Sequence, residues 1–184
     1  RYKLPKADEK HEVYEQIFAN FEKHNIKMFI YIGGNDSMDT VDKLSGYAIK
    51  NGKDVSIVGV PKTIDNDLMG TDHTPGFGSA AKFVATTMKE ILRDVNVYTM
   101  KAVTIVEIMG RNAGWLTGAA ALSKSEDCDG PDLIYLPEMP FDIQAFRNNV
   151  EKLLEEKTSI VVAVSEGIRT ADGKYVCELG HDIN

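Results

Sequence analysis

The sequence has few of the features that mark secreted, membrane-spanning or nucleic-acid-binding proteins. It contains only two cysteines, Cys128 and Cys177, which show neither metal-ligand spacing nor a disulfide framework. Its longest apolar runs, such as residues 159–164, are too short to cross a bilayer, and no signal segment opens the chain. The 21 Lys and Arg are outnumbered by 28 Asp and Glu, so a net charge of −7 repels nucleic acid. We expect a cytoplasmic protein with no membrane or nucleic-acid partner.

The composition is that of an ordinary globular protein. Apolar residues make up 43% and charged residues 27% of the 184 residues, which is close to the average and enough to form a core without disulfides. The chain begins at Arg1, with no methionine, and stops at Asn184 soon after Gly180. We therefore expect it to be a piece of a longer protein.

Short apolar runs alternate with segments of helical periodicity. The apolar runs are almost continuous, which is typical of parallel strands covered on both faces, whereas the segments between them carry apolar residues at helical spacing. Asp142 is a suitable N-cap for the last helix, and Trp115 and Phe83 are expected to fill the core. The predicted strands are residues 28–32, 55–60, 102–108, 133–136 and 160–164. This order predicts an α/β fold of Rossmann-like, doubly wound type.

A glycine pair follows the first predicted strand and precedes a helix. Gly33 and Gly34 lead into Asn35, Asp36 and Ser37. A Gly-Gly turn lets backbone N–H groups approach an anion at a helix N-terminus, beyond the carboxyl end of a parallel strand. An ordinary tight turn gives the same pattern, so the feature alone is weak.

The second strand ends in the sequence PKTIDND, residues 61–67. A turn has no need to collect Lys62, Thr63, Asp65 and Asp67 together. Phosphoryl transfer does need such a set of residues. It uses a base for the acceptor hydroxyl, acidic groups that help to hold Mg²⁺, and a cation near the transferred charge.

Two further strand ends carry charged residues. The third strand leads into Met109, Gly110 and Arg111, and the fifth into Glu166. The guanidinium of Arg111 suits phosphate or sugar oxygens, and the carboxylate of Glu166 can accept hydrogen bonds from sugar hydroxyls. Alternatively, Arg111 is a solvated surface residue and Glu166 caps a helix.

The motifs GGNDS, PKTIDND, MGRNAG and SEG, in this order and at these separations, resemble the phosphofructokinase family, and most of all its pyrophosphate-dependent branch. The resemblance runs from about Ile26 to Glu166. It implies two α/β lobes of phosphofructokinase type, here incomplete at both ends. Residues 1–75 would belong to the lobe for the phosphoryl donor and residues 76–184 to the lobe for fructose 6-phosphate. It also implies that the chain by itself has little or no activity, because further site residues belong outside it.

The resemblance implies a role for each motif residue. Asp65 would be the general base for the 1-hydroxyl of the sugar, with Thr63 and Ile64 beside the substrate. Lys62 and Asp67 would assist catalysis, Asp67 by placing Mg²⁺ and the transferred group. The sugar-phosphate residues would be Met109, Gly110, Arg111 and Glu166.

The phosphoryl donor depends on the first two motifs. Gly34, Asn35, Asp36 and Lys62 would form the donor site, and ATP-dependent members have glycine at the positions of Asp36 and Lys62. A carboxylate at position 36 clashes with and repels a nucleotide α-phosphate, whereas Lys62 meets the charge of pyrophosphate. The family usually has Asp at the position of Asn35, where it is described as a Mg²⁺ ligand, so a metal role for Asn35 is open.

The residues leave two alternative functions open and exclude a third. ATP as donor, or a non-catalytic paralogue that binds sugar phosphates, both keep the same fold. A dinucleotide-dependent oxidoreductase fails, because no G-x-G-x-x-G follows the first strand. Sites shared between subunits in relatives imply a homo-oligomer, at least a dimer.

Overall fold

The structure, a computed structural model, describes residues 3–182, and the chain divides into two compact units, Arg1–Thr63 and Ile64–Asn184. The division lies after Thr63, whereas the sequence predicts a boundary after residue 75. Ile64 packs against the apolar core of the second unit, which explains why the segment that follows Thr63 belongs there.

The first unit is a two-stranded parallel sheet with helices. Its elements are α1 (His11–Lys23), β1 (Met28–Gly33), α2 (Asn35–Lys50) and β2 (Ser56–Pro61). Met28 lies beside Ser56 and Gly33 beside Pro61, so the two strands end together. Tyr14, Phe18 and Tyr47 form a buried aromatic stack, with Phe29 and Ile57 of the sheet packed against this cluster. The amphipathic stripes of α1 and α2 therefore cover one face of the sheet.

The second unit contains a three-stranded parallel sheet in the order β3, β5, β4. Its elements are α3 (Phe77–Val95), β3 (Ala102–Ile108), α4 (Trp115–Gly118), β4 (Leu133–Tyr135), α5 (Ile143–Glu156) and β5 (Ser159–Ser165), with 3₁₀ helices at Ala119–Ser123 and Val176–Asp182. The core joins α3, through Met88 and Leu92, to Val161 and Ala163 of β5. Asp142 caps α5, as the sequence predicts, by accepting hydrogen bonds from the amides of Gln144 and Ala145.

All five predicted strands are confirmed to within about one residue at each end, and the alternation of helices and strands is confirmed. The predicted cover on both sheet faces is confirmed for the central strand β5, of which residues 159–163 are all buried, but it is wrong for β1 and β3 among the described residues. Ile30 is 53% and Ile32 64% exposed on the face of the first sheet that is turned away from the helices, and Ile105 of β3 is 56% exposed. Phe83 and Trp115 are also exposed rather than in the core. Among residues 3–182, no helix has the length and apolar character needed to span a membrane.

Candidate active site

The carboxyl end of the first sheet brings the two predicted donor motifs together. The Lys62 amide donates a hydrogen bond of 2.9 Å to the carbonyl oxygen of Gly33. A Cβ on Gly34 would lie 3.7 Å from the Lys62 carbonyl oxygen, so the turn after β1 and the turn after β2 are in van der Waals contact. Parallel strands that end in register produce this neighbourhood.

The glycine pair shapes the start of α2. Gly34 is the N-cap residue, and its carbonyl oxygen accepts from the amides of Ser37 and Met38. The Ser37 side chain lies directly over Gly33, where a Cβ would come within 2.0 Å of its Oγ. Asn35 and Asp36 are the first two residues of the helix, and both are exposed. A carboxylate in the first turn is favoured by the helix dipole, and Lys3 Nζ lies 3.8 Å from Asp36 Oδ1.

A loop without helix or strand carries the two predicted carboxylates. It runs from residue 62, after β2, to residue 76, and Asp65 and Asp67 are both half-buried in it. Asn66, between them, is buried and has a left-handed backbone with φ of 58°. Its Oδ1 accepts from the Thr74 amide at 2.8 Å, and its Nδ2 donates to the Asp72 carbonyl oxygen at 3.1 Å.

The loops after β3 and β5 are fastened to each other. Ile108 lies beside Ser165 at the ends of the two strands, and the Glu166 amide donates to the Ile108 carbonyl oxygen at 2.9 Å. In return, Glu166 Oε1 accepts from the Gly110 amide at 3.0 Å, and Ser165 Oγ donates to the Gly110 carbonyl oxygen at 2.8 Å. The predicted residues Gly110 and Glu166 are therefore brought together, by backbone as well as side-chain contacts.

Two glycines make this close approach possible. Gly110 has φ of 119°, which side chains rarely adopt, and a Cβ there would lie 2.6 Å from the Ala113 carbonyl oxygen. A Cβ on Gly167 would lie 1.8 Å from the carbonyl oxygen of Arg111. The backbone of Arg111 thus packs on Gly167, while Arg111 and Met109 are exposed.

Ile64 and Met109 line the same cavity of about 420 Å³ in the second unit, together with Phe83 and Leu116. Ile64, which precedes Asp65, therefore lies at the same cavity as Met109, which lies two residues before Arg111. The position of Phe83 in the wall of this cavity explains why its side chain is exposed.

Sequence reasoning missed a clamp beyond Glu166. Arg169 donates to Asn112 Oδ1 at 3.0 Å and to the hydroxyl of Tyr175, and its guanidinium carbon lies 4.3 Å from the centre of the Tyr175 ring. These contacts join the loop after β5 to the residue that follows Arg111. No motif singles out Arg169 in the sequence, because its partners are 57 and 6 residues away.

Two parallel sheets whose carboxyl ends carry glycine-shaped, charged loops define an α/β protein of the kind that binds ligands at its strand ends. The sequence model that describes the phosphofructokinase family matches residues 2–183 of this chain. The chain therefore belongs to the phosphofructokinase family, as its motifs predict.

Similar proteins are known from bacteria. The chain is 44% identical over 182 residues to a pyrophosphate–fructose 6-phosphate 1-phosphotransferase of Xanthomonas campestris, covering 98% of this chain and 44% of that protein. It is 46% identical over 162 residues to the protein of the same name from Rhodospirillum rubrum, covering 88% of this chain and 40% of the relative. The chain thus spans less than half the length of these curated relatives.

A solved structure gives the same picture of the fold. The crystal structure of a pyrophosphate-dependent phosphofructokinase from Nitrosospira multiformis matches with a TM-score of 0.77 and 38% identity, over 95% of this chain and 43% of that one. The predicted fold class is confirmed by this likeness.

Proposed function

We propose that the longer protein to which this chain corresponds transfers a phosphoryl group from pyrophosphate to fructose 6-phosphate, giving fructose 1,6-bisphosphate and orthophosphate. The similar proteins named above, two phosphotransferases and a phosphofructokinase, support this activity. In this proposal the unit Arg1–Thr63 serves the donor and the unit Ile64–Asn184 serves the sugar phosphate. A homo-oligomer and a cytoplasmic location are further parts of the proposal.

The observation that carries the proposal is the contact between the turns after β1 and β2. The hydrogen bond from the Lys62 amide to Gly33 fixes Lys62 next to the turn that carries Asp36. An exposed ammonium suits the negative charge of pyrophosphate, and an exposed carboxylate at position 36 repels a nucleotide α-phosphate. The pair favours the small inorganic donor over ATP.

The acceptor side has the groups that the transfer needs. Asp65 takes the proton of the sugar 1-hydroxyl as its oxygen bonds to one phosphorus of pyrophosphate. The bridging P–O bond of pyrophosphate breaks, and orthophosphate leaves. The pair Gly110 and Glu166, with Arg111 beside them, holds the sugar phosphate: the guanidinium suits its phosphate and the carboxylate suits its hydroxyls.

Mg²⁺ belongs to the proposal as the ion that offsets the charge on the phosphates. In phosphotransferases this ion is held by one or two carboxylates together with the substrate phosphates, rather than by a cage of protein ligands. Asp67, which is half-buried in its loop, offers one such carboxylate. Asn35 offers only a neutral carbonyl oxygen.

The donor is tested by steady-state rates of the longer protein with pyrophosphate and with ATP, using wild type and the double variant Asp36→Gly, Lys62→Gly. We expect pyrophosphate to be the preferred donor of the wild type, and the ratio of kcat/KM for pyrophosphate to that for ATP to fall at least about tenfold in the variant. The control is Asp42→Asn, Lys50→Gln, which changes charges on α2 away from the turn. A wild type that prefers ATP would contradict the donor proposal.

A non-catalytic paralogue that binds sugar phosphates is the second candidate, and Asn35 favours it because the amide carries no charge for a metal. Calorimetry of the longer protein with fructose 6-phosphate, next to an assay for bisphosphate, separates the two. Binding without product would establish the paralogue and overturn the transferase.

A further inference from the structure

We propose that Asn66 is a positioning residue that holds Asp65 and Asp67 in place for phosphoryl transfer. This inference rests on the proposed function, in which these carboxylates act as base and as magnesium-side group. It concerns the residue between them, whose two side-chain hydrogen bonds both lie within the second unit.

The backbone of Asn66 turns the chain between the two carboxylates. Its φ of 58° lies in the left-handed region, which most side chains avoid and which Asn tolerates better than most other residues. Among residues 3–182, the only other non-glycine residue with positive φ is Asn25, which is exposed and lies between α1 and β1. Backbone strain of this kind is found at functional sites, where the surroundings hold it in place. The turn at Asn66 sets the directions in which the chain leaves toward Asp65 and Asp67.

The side chain of Asn66 fixes that turn by bonding across the loop. One end of the carboxamide accepts from the Thr74 amide and the other donates to the Asp72 carbonyl oxygen. The carboxamide therefore pairs with two backbone groups as a neighbouring peptide group would. Aspartate at this position has no donor for the Asp72 carbonyl, and glycine has neither group.

Both ends of the segment that carries the carboxylates are anchored. On one side, Ile64 packs against the core of the second unit. On the other side, Asn66 is only 7% exposed and bonds to Thr74, which is 3% exposed. Asp65 lies between these two anchors and Asp67 directly follows the second. Loss of the carboxamide releases the second anchor while the first stays in place.

The expected consequence is a loss of rate rather than of binding. A base displaced by about 1 Å costs on the order of 10²-fold in rate. In the proposed function the sugar phosphate is held from other loops, by Arg111 and by Gly110 and Glu166, which are joined to each other by a hydrogen bond. A purely structural role of Asn66 would lower stability and leave kcat per folded molecule unchanged.

The test compares Asn66→Gly and Asn66→Asp with Asn25→Gly and Asn25→Asp in the longer protein. Glycine accepts the left-handed backbone, so Asn66→Gly removes the carboxamide while the fold is kept, as circular dichroism and thermal unfolding would verify. We expect kcat for pyrophosphate and fructose 6-phosphate to fall about 10- to 100-fold in both Asn66 variants, with each KM within about threefold of wild type. Both Asn25 variants should retain the wild-type kcat.

A second readout does not depend on turnover. Hydrogen exchange at the Thr74 amide should become faster in Asn66→Gly than in wild type, because this amide donates to Asn66 Oδ1. Unchanged exchange would show that the bond does not hold the loop and would overturn the inference.

The kinetic outcomes are distinguishable. A folded Asn66→Gly variant whose kcat is within twofold of wild type would overturn the positioning role, as would a variant in which only KM rises. Neither result would contradict the proposed phosphotransferase activity. A wild type that forms no bisphosphate from either donor would instead remove the proposed function, and the inference with it.

Discussion

The two ends of the β3–β5–β4 sheet use charge differently. At the carboxyl end, the Glu166 carboxylate bonds to the backbone amide of Gly110, and the loops are fastened through glycines. At the amino end, charged side chains bond to one another. Asp132 accepts from Lys157 Nζ at 2.5 Å and from the Val161 amide at 2.8 Å, and it lines a cavity of about 570 Å³ with the pair Arg93 and Asp127.

This difference separates chemistry from stability. At the carboxyl end, the hydrogen bonds of Glu166 and Ser165 fix the backbone at Gly110, and the neighbouring Arg111 is exposed. At the amino end the carboxylate of Asp132 and the ammonium of Lys157 are paired with each other. This ion pair stabilises the fold and leaves little charge with which to bind a ligand. Changes at the carboxyl end, including the adjoining loop of Asp65, should therefore alter rates, and changes at the amino end should alter the free energy of unfolding.

The largest effect is expected for Asp65→Asn in the longer protein. An amide cannot take the hydroxyl proton, so kcat should fall about 10²- to 10⁴-fold, with the KM for fructose 6-phosphate largely kept. Steady-state kinetics with pyrophosphate measures this. The control is Asp72→Asn, an exposed carboxylate of the same loop, which should be active. Normal turnover in Asp65→Asn would remove the general base from the mechanism.

A smaller effect is expected for Gly167→Ala. The new Cβ would lie 1.8 Å from the Arg111 carbonyl oxygen, so one of the two loops must move. We expect kcat/KM for fructose 6-phosphate to fall on the order of 10²-fold, and the free energy of unfolding to fall by about 1–3 kcal/mol.

The matched control for that change is Gly118→Ala, at the last residue of α4. A Cβ there meets nothing within 4 Å, and its φ of −60° suits alanine. It should retain the wild-type kcat/KM. Equal kinetics for Gly167→Ala and Gly118→Ala would show that the close approach of the two loops has no part in substrate binding.

The smallest effect on activity is expected for Asp132→Asn, which should act on stability alone. The Asp132 side chain is 7% exposed, and hydrogen bonds to charged groups contribute about 1.5–3 kcal/mol. We expect a loss of that order in urea unfolding at pH 7, with kcat unchanged. Asp54→Asn removes an ion pair with the same kind of short contact to Lys27, but Asp54 is 90% exposed, so no measurable loss is expected there.

The pH dependence of the Asp132 effect follows from its partner. The hydrogen bond that Lys157 donates to Asp132 raises the pKa of Lys157 above its usual value, against an opposing effect of burial. Stability from a raised pKa is fully present below the unfolded-state value of about 10.4 and is lost as the pH rises through the folded-state value. The difference between wild type and Asp132→Asn should therefore be constant near neutral pH and shrink above about pH 10.5. A difference that grows in alkali would contradict the pairing.

Much of the fold was predictable because strands and helices each require a characteristic spacing of apolar residues along the local sequence. The β-rich run at residues 102–108 and the N-cap at Asp142 are read from neighbouring residues alone. The exposed faces of β1 and β3 were not predictable, because an apolar strand has the same sequence whether or not a helix packs on it. Trp115 was predicted to lie in the core because it is large and apolar, but it is 59% exposed.

The candidate site divides in the same manner. The motifs named Lys62, Asp65, Arg111 and Glu166 in advance as chemistry-bearing residues, and their roles remain predictions. The sequence contains no sign that Asn66 bonds across its loop or that Arg169 joins Asn112, since these contacts join residues that only folding brings together.

By itself, the sequence determined the order of helices and strands, the family and the residue types offered at the strand ends, because these depend on near neighbours and on motif spacing. Only the tertiary structure decided that the Glu166 carboxylate faces the Gly110 amide, that Gly167 makes room for the Arg111 backbone, and that Asn66 ties its loop to Thr74. The physical reason is that hydrogen bonds and close packing depend on distances in space, and those distances are set by how the parallel strands align, not by separation along the chain.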